Sequence, residues 1–116
     1  MGARQGPFDD PWLAAGCLHD RCWGGPGWYA GVAAEPSRRL ETEHRVDLVR
    51  GEYSWLECVD ADVARYAAWI LHERFYYRGG GDDDDRCRFV YAYRITLDTR
   101  QPGPAAGVPP QGDESA

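Results

Sequence analysis

The 116-residue chain has the length of one domain with a single hydrophobic core. Its net charge of −6 argues against indiscriminate binding to polyanions, although the stretch 38–50 is locally basic or balanced. The first residues are rich in Gly, Pro and Asp, and no apolar run is long enough to cross a membrane, so we expect no secretion signal and a cytoplasmic protein.

The first part of the chain predicts a β-hairpin. Residues 1–11 are interpreted as a flexible leader. The short apolar run Trp12–His19 predicts a first strand, although Leu13–Ala15 also fits a helix. The turn-rich segment 20–27 then fits a hairpin loop, and Tyr29–Ala33 predicts a second strand, antiparallel to the first.

Two helices and a further strand are predicted next along the chain. We predict a helix over Arg38–His44 and a strand over Tyr53–Val59, which is rich in aromatic residues. A second helix is predicted from Val63 to about Tyr76, with either Asp60 or Asp62 as its N-cap. Its apolar side chains fall on one face, which is expected to pack on the sheet.

The last predicted strand is the clearest one. After a glycine-rich loop over 79–85, the segment Cys87–Leu97 is apolar and aromatic, typical of a strand. The Pro- and Gly-rich tail 99–116 is expected to be disordered. The predicted order is β-β-α-β-α-β, an α+β domain over 12–98 with a small mixed or antiparallel sheet flanked by helices.

The segment between the second strand and the first helix predicts an anion site. Gly31 would allow a ligand or another part of the chain to approach the strand closely. Pro36 holds the residue before it extended, and Ser37 is a candidate helix cap. The helix then opens with Arg38 and Arg39, and guanidinium groups beside backbone N–H groups favour phosphate.

The same residues resemble the signature half of the GIY-YIG nuclease superfamily. Tyr29-Ala30-Gly31 matches the Tyr-x-Gly strand, Arg39 matches the arginine of the following helix, and His44 lies one position beyond the family's histidine. Upstream, Gly16-Cys17-Leu18 takes the place of the Gly-Ile-Tyr triplet, with ten residues between the two triplets. Leu18 replaces the first tyrosine.

The resemblance implies an α+β fold and hydrolysis of DNA phosphodiester bonds with one divalent metal, Mg²⁺ or Mn²⁺. Tyr29 would activate or orient water, Arg39 would stabilise charge on the phosphate, and His44 would relay a proton. Gly31 and Arg38 would contribute to substrate binding. The alternatives are that Tyr29 is an ordinary strand aromatic, that Arg39 lies at a solvated helix start and that His44 is a surface histidine.

The metal ligand is where the sequence departs from the family. The family's helix carries a glutamate at the position that Ala68 occupies, and alanine cannot bind a cation. Either the glutamate was changed to alanine, or the protein is a natural inactive relative, or Glu73 or His72 substitutes. Glu73 lies five residues further on, roughly 140° around the helix.

Other candidate sites have simpler explanations. The four cysteines are predicted to be free thiols, with a zinc site that uses Cys17 and Cys22 plus Cys58 or Cys87 as the alternative. The acidic run 82–85 is interpreted as a hydrated loop. Four aromatic residues are candidates either for stacking on bases or for the core: Trp55, Trp69, Tyr91 and Tyr93.

Two further functions stay open beside the nuclease. One is a non-catalytic module that binds nucleic acid on the same fold. The other is an acidic interaction protein of a mobile element, in which case the motif match is accidental.

Overall fold

The structure, a computed structural model, describes residues 7–79 and 86–101. Within them the chain forms three helices and a sheet of four strands. None of the helices in these ranges is long and apolar enough to cross a membrane. The helices are α1 (Pro11–Cys22), α2 (Pro36–Arg38, continued by a π-helical segment Arg39–Glu43) and α3 (Ala61–Phe75), and the strands are β1 (Trp28–Ala33), β2 (Tyr53–Glu57), β3 (Arg78–Gly79) and β4 (Phe89–Arg94).

The sheet is mixed and has the order β2-β4-β1-β3. The central strands β4 and β1 are antiparallel, with Tyr93 opposite Tyr29 and Tyr91 opposite Gly31. Strand β2 is antiparallel to β4, whereas the short strand β3 runs parallel to β1. The domain is therefore a small mixed α+β fold, in agreement with the predicted class.

The two faces of the sheet carry different side chains because successive strand residues point to opposite sides. On one face, Ala30 and Val32 of β1 pack with α1 and α3 in the larger apolar cluster. On the other face, Tyr29 and Ala33 of the same strand pack with residues of β4 and with Leu40. The predicted site residues of β1 thus belong to the face that α2 covers.

The prediction of a first strand over Trp12–His19 is wrong, because this segment lies in helix α1. Asp10 caps the helix and accepts hydrogen bonds from the backbone N–H groups of Trp12 and Leu13, at 2.9 and 3.3 Å. Pro11 occupies the first turn, where its missing N–H has no cost. The order β-β-α-β-α-β is corrected to α-β-α-β-α-β-β.

The folded domain also extends beyond the predicted limits at both ends. Phe8, assigned to the flexible leader, forms a β-bridge with Cys58. Residues 99–101, assigned to the disordered tail, are fixed by hydrogen bonds to the body of the domain. Strand β3 was not predicted, and the rest of the loop 79–85 and of the tail lies outside the described residues.

The remaining elements agree with the prediction. Strands β1, β2 and β4 fall inside or next to the predicted segments. Helix α3 begins after Asp60, whose carboxylate accepts a hydrogen bond from the N–H of Val63 at 2.9 Å, and ends at Tyr76 in a left-handed conformation. Of the two candidate caps, the structure selects Asp60.

Candidate functional site

Three of the predicted site residues lie together on the α2 face of the sheet. The Tyr29 ring centroid is 4.9 Å from that of His44. The guanidinium of Arg39 is close enough to Tyr29 to oppose the rise in the pKa of its phenol. The phenol and the guanidinium therefore meet on one side of the sheet, as the interpretation of this segment requires.

Two tyrosines of β4 complete this group. The rings of Tyr91 and Tyr93 lie 6.2 and 5.3 Å from that of Tyr29, nearly parallel to it. We call Tyr29, Tyr91, Tyr93 and His44 the phenol cluster. All four side chains are buried, with 4 % exposure or less. Tyr91 and Tyr93 are therefore core residues, and the alternative that they stack on bases does not fit their burial.

His44 lies at the centre of the phenol cluster and uses both ring nitrogens. Its Nδ1 is 2.8 Å from the carbonyl oxygen of Arg100, and its Nε2 is 2.6 Å from the Tyr91 hydroxyl. A carbonyl oxygen only accepts, so the Nδ1–H donates to Arg100 and the Tyr91 hydroxyl donates to Nε2. Burial lowers the pKa of His44 and favours this neutral form.

Gly31 has a packing role here. A Cβ atom at this position would lie 2.9 Å from the Tyr91 hydroxyl oxygen and 3.2 Å from the Tyr29 ring. The close approach predicted for Gly31 is therefore made by the phenol cluster itself. A role of Gly31 in substrate binding stays a prediction.

The phenols of the cluster are protonated at neutral pH. Burial raises the pKa of Tyr29, with Arg39 opposing and Glu43 reinforcing the rise. Burial also raises the pKa of Tyr91 and of Tyr93 above the ordinary tyrosine value. A protonated phenol can orient a water molecule or donate a hydrogen bond, but it is a poor base in this form.

Arg39 connects the phenol cluster to the surface. Its Nη1 donates to the carbonyl oxygen of Val32 at 2.8 Å, its Nε lies 3.4 Å from Glu43, and its guanidinium also hydrogen-bonds Tyr91. These contacts fix the direction of the guanidinium, and 28 % of the side chain remains exposed. One edge of a preorganised cation is thus presented to solvent.

Above Arg39 the surface forms a cavity of about 210 Å³, which we call the arginine cavity. Arg38 and Arg86 line it together with Arg39, and Glu35 and Glu43 lie at the same wall. Arg38 is 3.6 Å from Glu35 and is largely exposed. Among the described residues that line the cavity, three arginines therefore face two glutamates, and Arg38 and Arg39 each lie within 4 Å of one of these carboxylates.

The helix start contributes less to this site than the sequence suggests. Ser37 is not the cap: the N-cap position falls on Glu35, and no side chain caps the helix. The regular α-helical part is only three residues long before the π-helical segment begins. The positive charge that lines the cavity therefore comes from the arginine side chains rather than from a helix N-terminus.

The residues proposed for metal binding do not meet at this site. Ala68 packs in the apolar cluster on the opposite face of the sheet, so a glutamate there would be buried away from Tyr29 and Arg39. Glu73 is exposed on α3, and the Nε2 of His72 lies 2.9 Å from the carbonyl oxygen of Ala30. Among the described residues, no group of three His, Cys, Asp or Glu side chains gathers to hold a metal ion.

The cysteines show the same pattern. All four lie in the described ranges without a disulfide, and no three cysteine, histidine or acidic side chains gather there to hold zinc. Burial raises the pKa of Cys22 to about 12 and that of Cys58 to about 11, which keeps both thiols protonated. The simpler prediction of free thiols fits this structure.

Sequence reasoning missed two residues that shape the site, Arg86 and Glu43, and named Tyr91 and Tyr93 without linking them to Tyr29. The alternation of side chains along β4 was a usable signal. Tyr91 and Tyr93 are two residues apart in this strand, so their side chains lie on the same face of the sheet. Nothing local in the sequence linked Arg86 to Arg39. The two arginines line the same cavity because β4, which follows Arg86, pairs with β1.

Comparison of the chain with protein-family models, with curated proteins and with solved structures found no match. The resemblance to GIY-YIG nucleases therefore rests on the quoted motif residues alone.

Proposed function

We propose that this protein is a nucleic-acid-binding module that holds a backbone phosphate in the arginine cavity. The observation that carries the proposal is the convergence of Arg38, Arg39 and Arg86 on one cavity of about 210 Å³. A planar guanidinium matches the geometry of phosphate oxygens and can form paired hydrogen bonds with them. DNA is the expected partner, and a cytoplasmic location is part of the same proposal.

The arrangement of the cations supports phosphate over a simple carboxylate. Arg39 is held by the carbonyl oxygen of Val32 and by the phenol cluster, so little conformational entropy is lost when it binds. Arg38 and Arg39 are adjacent in the chain, whereas Arg86 comes from the turn before β4, and all three line the same cavity. Several guanidinium groups at one cavity suit an anion with several oxygens.

A second candidate is phosphodiester hydrolysis of the GIY-YIG type. The specific observation in its favour is that Tyr29, Arg39 and His44 lie in one group on the same face. Against it stand the protonated state of Tyr29 and the burial of Ala68 on the opposite face. Binding without cleavage is therefore the function that the geometry supports best.

The first prediction concerns the exposed arginines of the cavity. In the full chain, the double variant Arg38→Ala/Arg86→Ala is expected to bind a labelled oligonucleotide roughly tenfold more weakly at low salt, because two phosphate contacts are lost. The slope of log affinity against log salt should fall by about 1 to 2 between about 50 mM and about 200 mM salt. Fluorescence anisotropy with single- and double-stranded DNA measures both quantities.

The control is Arg65→Ala, which removes one arginine from α3 on the opposite side of the sheet. This variant should bind as the wild type does. Equal weakening by the control and the double variant, or an absence of binding by the wild type at about 50 mM salt, would contradict the proposal. The latter result would favour the acidic interaction protein.

The same samples decide between binding and cleavage. Incubation with Mg²⁺ or Mn²⁺ is expected to leave the oligonucleotide intact. Cleavage that disappears in Arg39→Lys and in Tyr29→Phe would support the second candidate. Both substitutions keep a similar volume, so the fold can be verified by circular dichroism before activity is compared.

A further inference from the structure

A second groove lies at the other end of β1, around Trp28. Two adjoining cavities of about 510 and 460 Å³ share Cys22, Trp28 and Glu52 in their walls. Arg21 and Tyr53 line the first, and Trp23 and Arg94 line the second. We call this combined surface the Trp28 groove. None of its residues belongs to the arginine cavity or the phenol cluster.

Trp23 is the unusual residue of this groove. It ends helix α1 in the left-handed conformation, with φ 52°, and its N–H donates to the carbonyl oxygen of His19 at 2.6 Å. This left-handed conformation favours glycine, and a residue with a bulky side chain is strained in it. Yet the Trp23 side chain is 81 % exposed, so burial does not compensate for the strain.

The neighbouring glycine does not account for this choice. A Cβ atom on Gly24 would lie 2.6 Å from the Tyr77 hydroxyl oxygen, so Gly24 is required by that contact. Position 23 is less constrained by packing: the indole lies near the His19 ring, with 6.2 Å between the ring centroids, but remains largely exposed beside the groove. An exposed indole kept at a strained position is best explained by a ligand that it contacts.

The chemistry of the groove fits a nucleobase. The exposed indole of Trp23 offers a flat apolar surface on which a base of any sequence can stack, and the partly buried Trp28 forms the wall beside it. Arg21 and Arg94 lie at the two sides, where they can contact the phosphates that flank the base. Arg94 is 3.3 Å from Glu52 and half exposed, so the guanidinium can exchange this weak partner for a phosphate.

We propose that the Trp28 groove binds an unpaired base of single-stranded nucleic acid, which stacks on Trp23. This inference rests on the proposed function, because the same strand would continue to the arginine cavity. Strand β1 spans six residues between the two sites, which is roughly 20 Å. Both faces of β1 are covered, so an oligonucleotide that reaches both sites has to pass around the sheet and be longer than this distance.

The experiment compares an oligothymidylate with an abasic oligonucleotide of the same length and charge. The wild-type chain is expected to bind the base-bearing strand roughly tenfold more tightly, since stacking is lost with the bases. Trp23→Ala should remove this preference and leave the affinity for the abasic strand unchanged. Trp69→Ala is the matched control, because Trp69 is also exposed but lies on α3 away from the groove.

A thermal melt of Trp23→Gly supplies a second measurement. Glycine relieves the left-handed strain, so this variant should melt at a higher temperature while it loses the preference for bases. A lower melting temperature would show that Trp23 is a structural residue and would overturn the proposal.

The outcomes separate this proposal from the function on which it rests. Equal binding of both strands by the wild type overturns base recognition, and an unchanged preference in Trp23→Ala overturns the stacking of the base on Trp23. Phosphate binding stands in both cases. Failure of the arginine double variant to weaken the abasic complex overturns phosphate binding instead.

Discussion

A single methyl group added at Gly31 is expected to destabilise the domain strongly. The new Cβ atom would lie 2.9 Å from the Tyr91 hydroxyl oxygen and 3.2 Å from the Tyr29 ring, closer than such atoms approach. Both rings are buried and stacked, so neither can move without disturbing His44 and Tyr93. We expect Gly31→Ala to lower the free energy of unfolding by about 1–3 kcal/mol. Urea denaturation followed by circular dichroism measures the change.

Gly16→Ala is the matched control, and its expected effect has the opposite sign. Gly16 lies inside helix α1, and no atom lies within 4 Å of the position that its Cβ would occupy. Alanine is preferred to glycine in a helix interior, so this variant should gain about 0.5–1 kcal/mol. Equal stability of the two variants would show that the space above Gly31 is not filled as described.

The contrast between these glycines shows where sequence reasoning succeeded and where it failed. For Gly31, the strand context correctly indicated a close approach, but the sequence could not say that Tyr91 makes it. For Gly16, the short apolar run that contains it was interpreted as a strand from its composition, although Leu13–Ala15 also fitted a helix. The cap Asp10 and the first-turn Pro11 were the stronger signal, because they act through local hydrogen bonds and fixed dihedral angles.

The second half of the fold was more predictable for a physical reason. Helix α3 has a strong cap in Asp60 and a continuous apolar face, and β4 has an alternating aromatic pattern. The two-residue strand β3 has no pattern of its own. Strand β3 depends on its pairing with β1, in which Gly79 lies opposite Ala30. The His72 ring lies over Gly79 and hydrogen-bonds the carbonyl oxygen of Ala30. Such a tertiary contact is not encoded in a short window of sequence.

The site was predictable in its local part only. Tyr29, Arg39 and His44 came from one continuous stretch, and the structure brings them together. The position of Ala68 was inferred by analogy with a glutamate on a helix, and the helix packs on the other face. Which face a helix covers depends on the topology of the whole sheet, so motif spacing alone did not determine it.

His44 holds two parts of the domain together. Its carbonyl oxygen accepts from the N–H of Arg100 at 2.6 Å, and its imidazole bonds Arg100 again and Tyr91. Replacement by phenylalanine keeps a ring but removes the imidazole bonds to the buried Tyr91 hydroxyl and to the Arg100 carbonyl, which keeps its bond from the Tyr93 hydroxyl. We expect His44→Phe to cost about 2–4 kcal/mol at neutral pH. His44→Gln should cost less, because an amide can both donate and accept.

The wild-type chain should also lose stability as the solution becomes acidic, through His44. Burial lowers the pKa of His44 in the fold, and Arg39 acts in the same direction, while the Arg100 carbonyl and Glu43 oppose the shift. The unfolded chain therefore binds more protons than the folded one below the ordinary histidine value of about 6.5. Stability is complete above about pH 6.5 and falls as the pH drops toward the lowered value, since protonation favours unfolding.

The variants isolate this contribution from the titration of the acidic residues. Urea denaturation between about pH 7.5 and about pH 5 should show the stability difference between wild type and His44→Phe shrinking as the pH falls. The difference between wild type and His44→Gln should shrink in parallel, because neither replacement titrates. A constant difference across this range would mean that folded and unfolded His44 bind protons equally. In that case the imidazole would not be the neutral acceptor for the Tyr91 hydroxyl on which the arrangement of the phenol cluster depends.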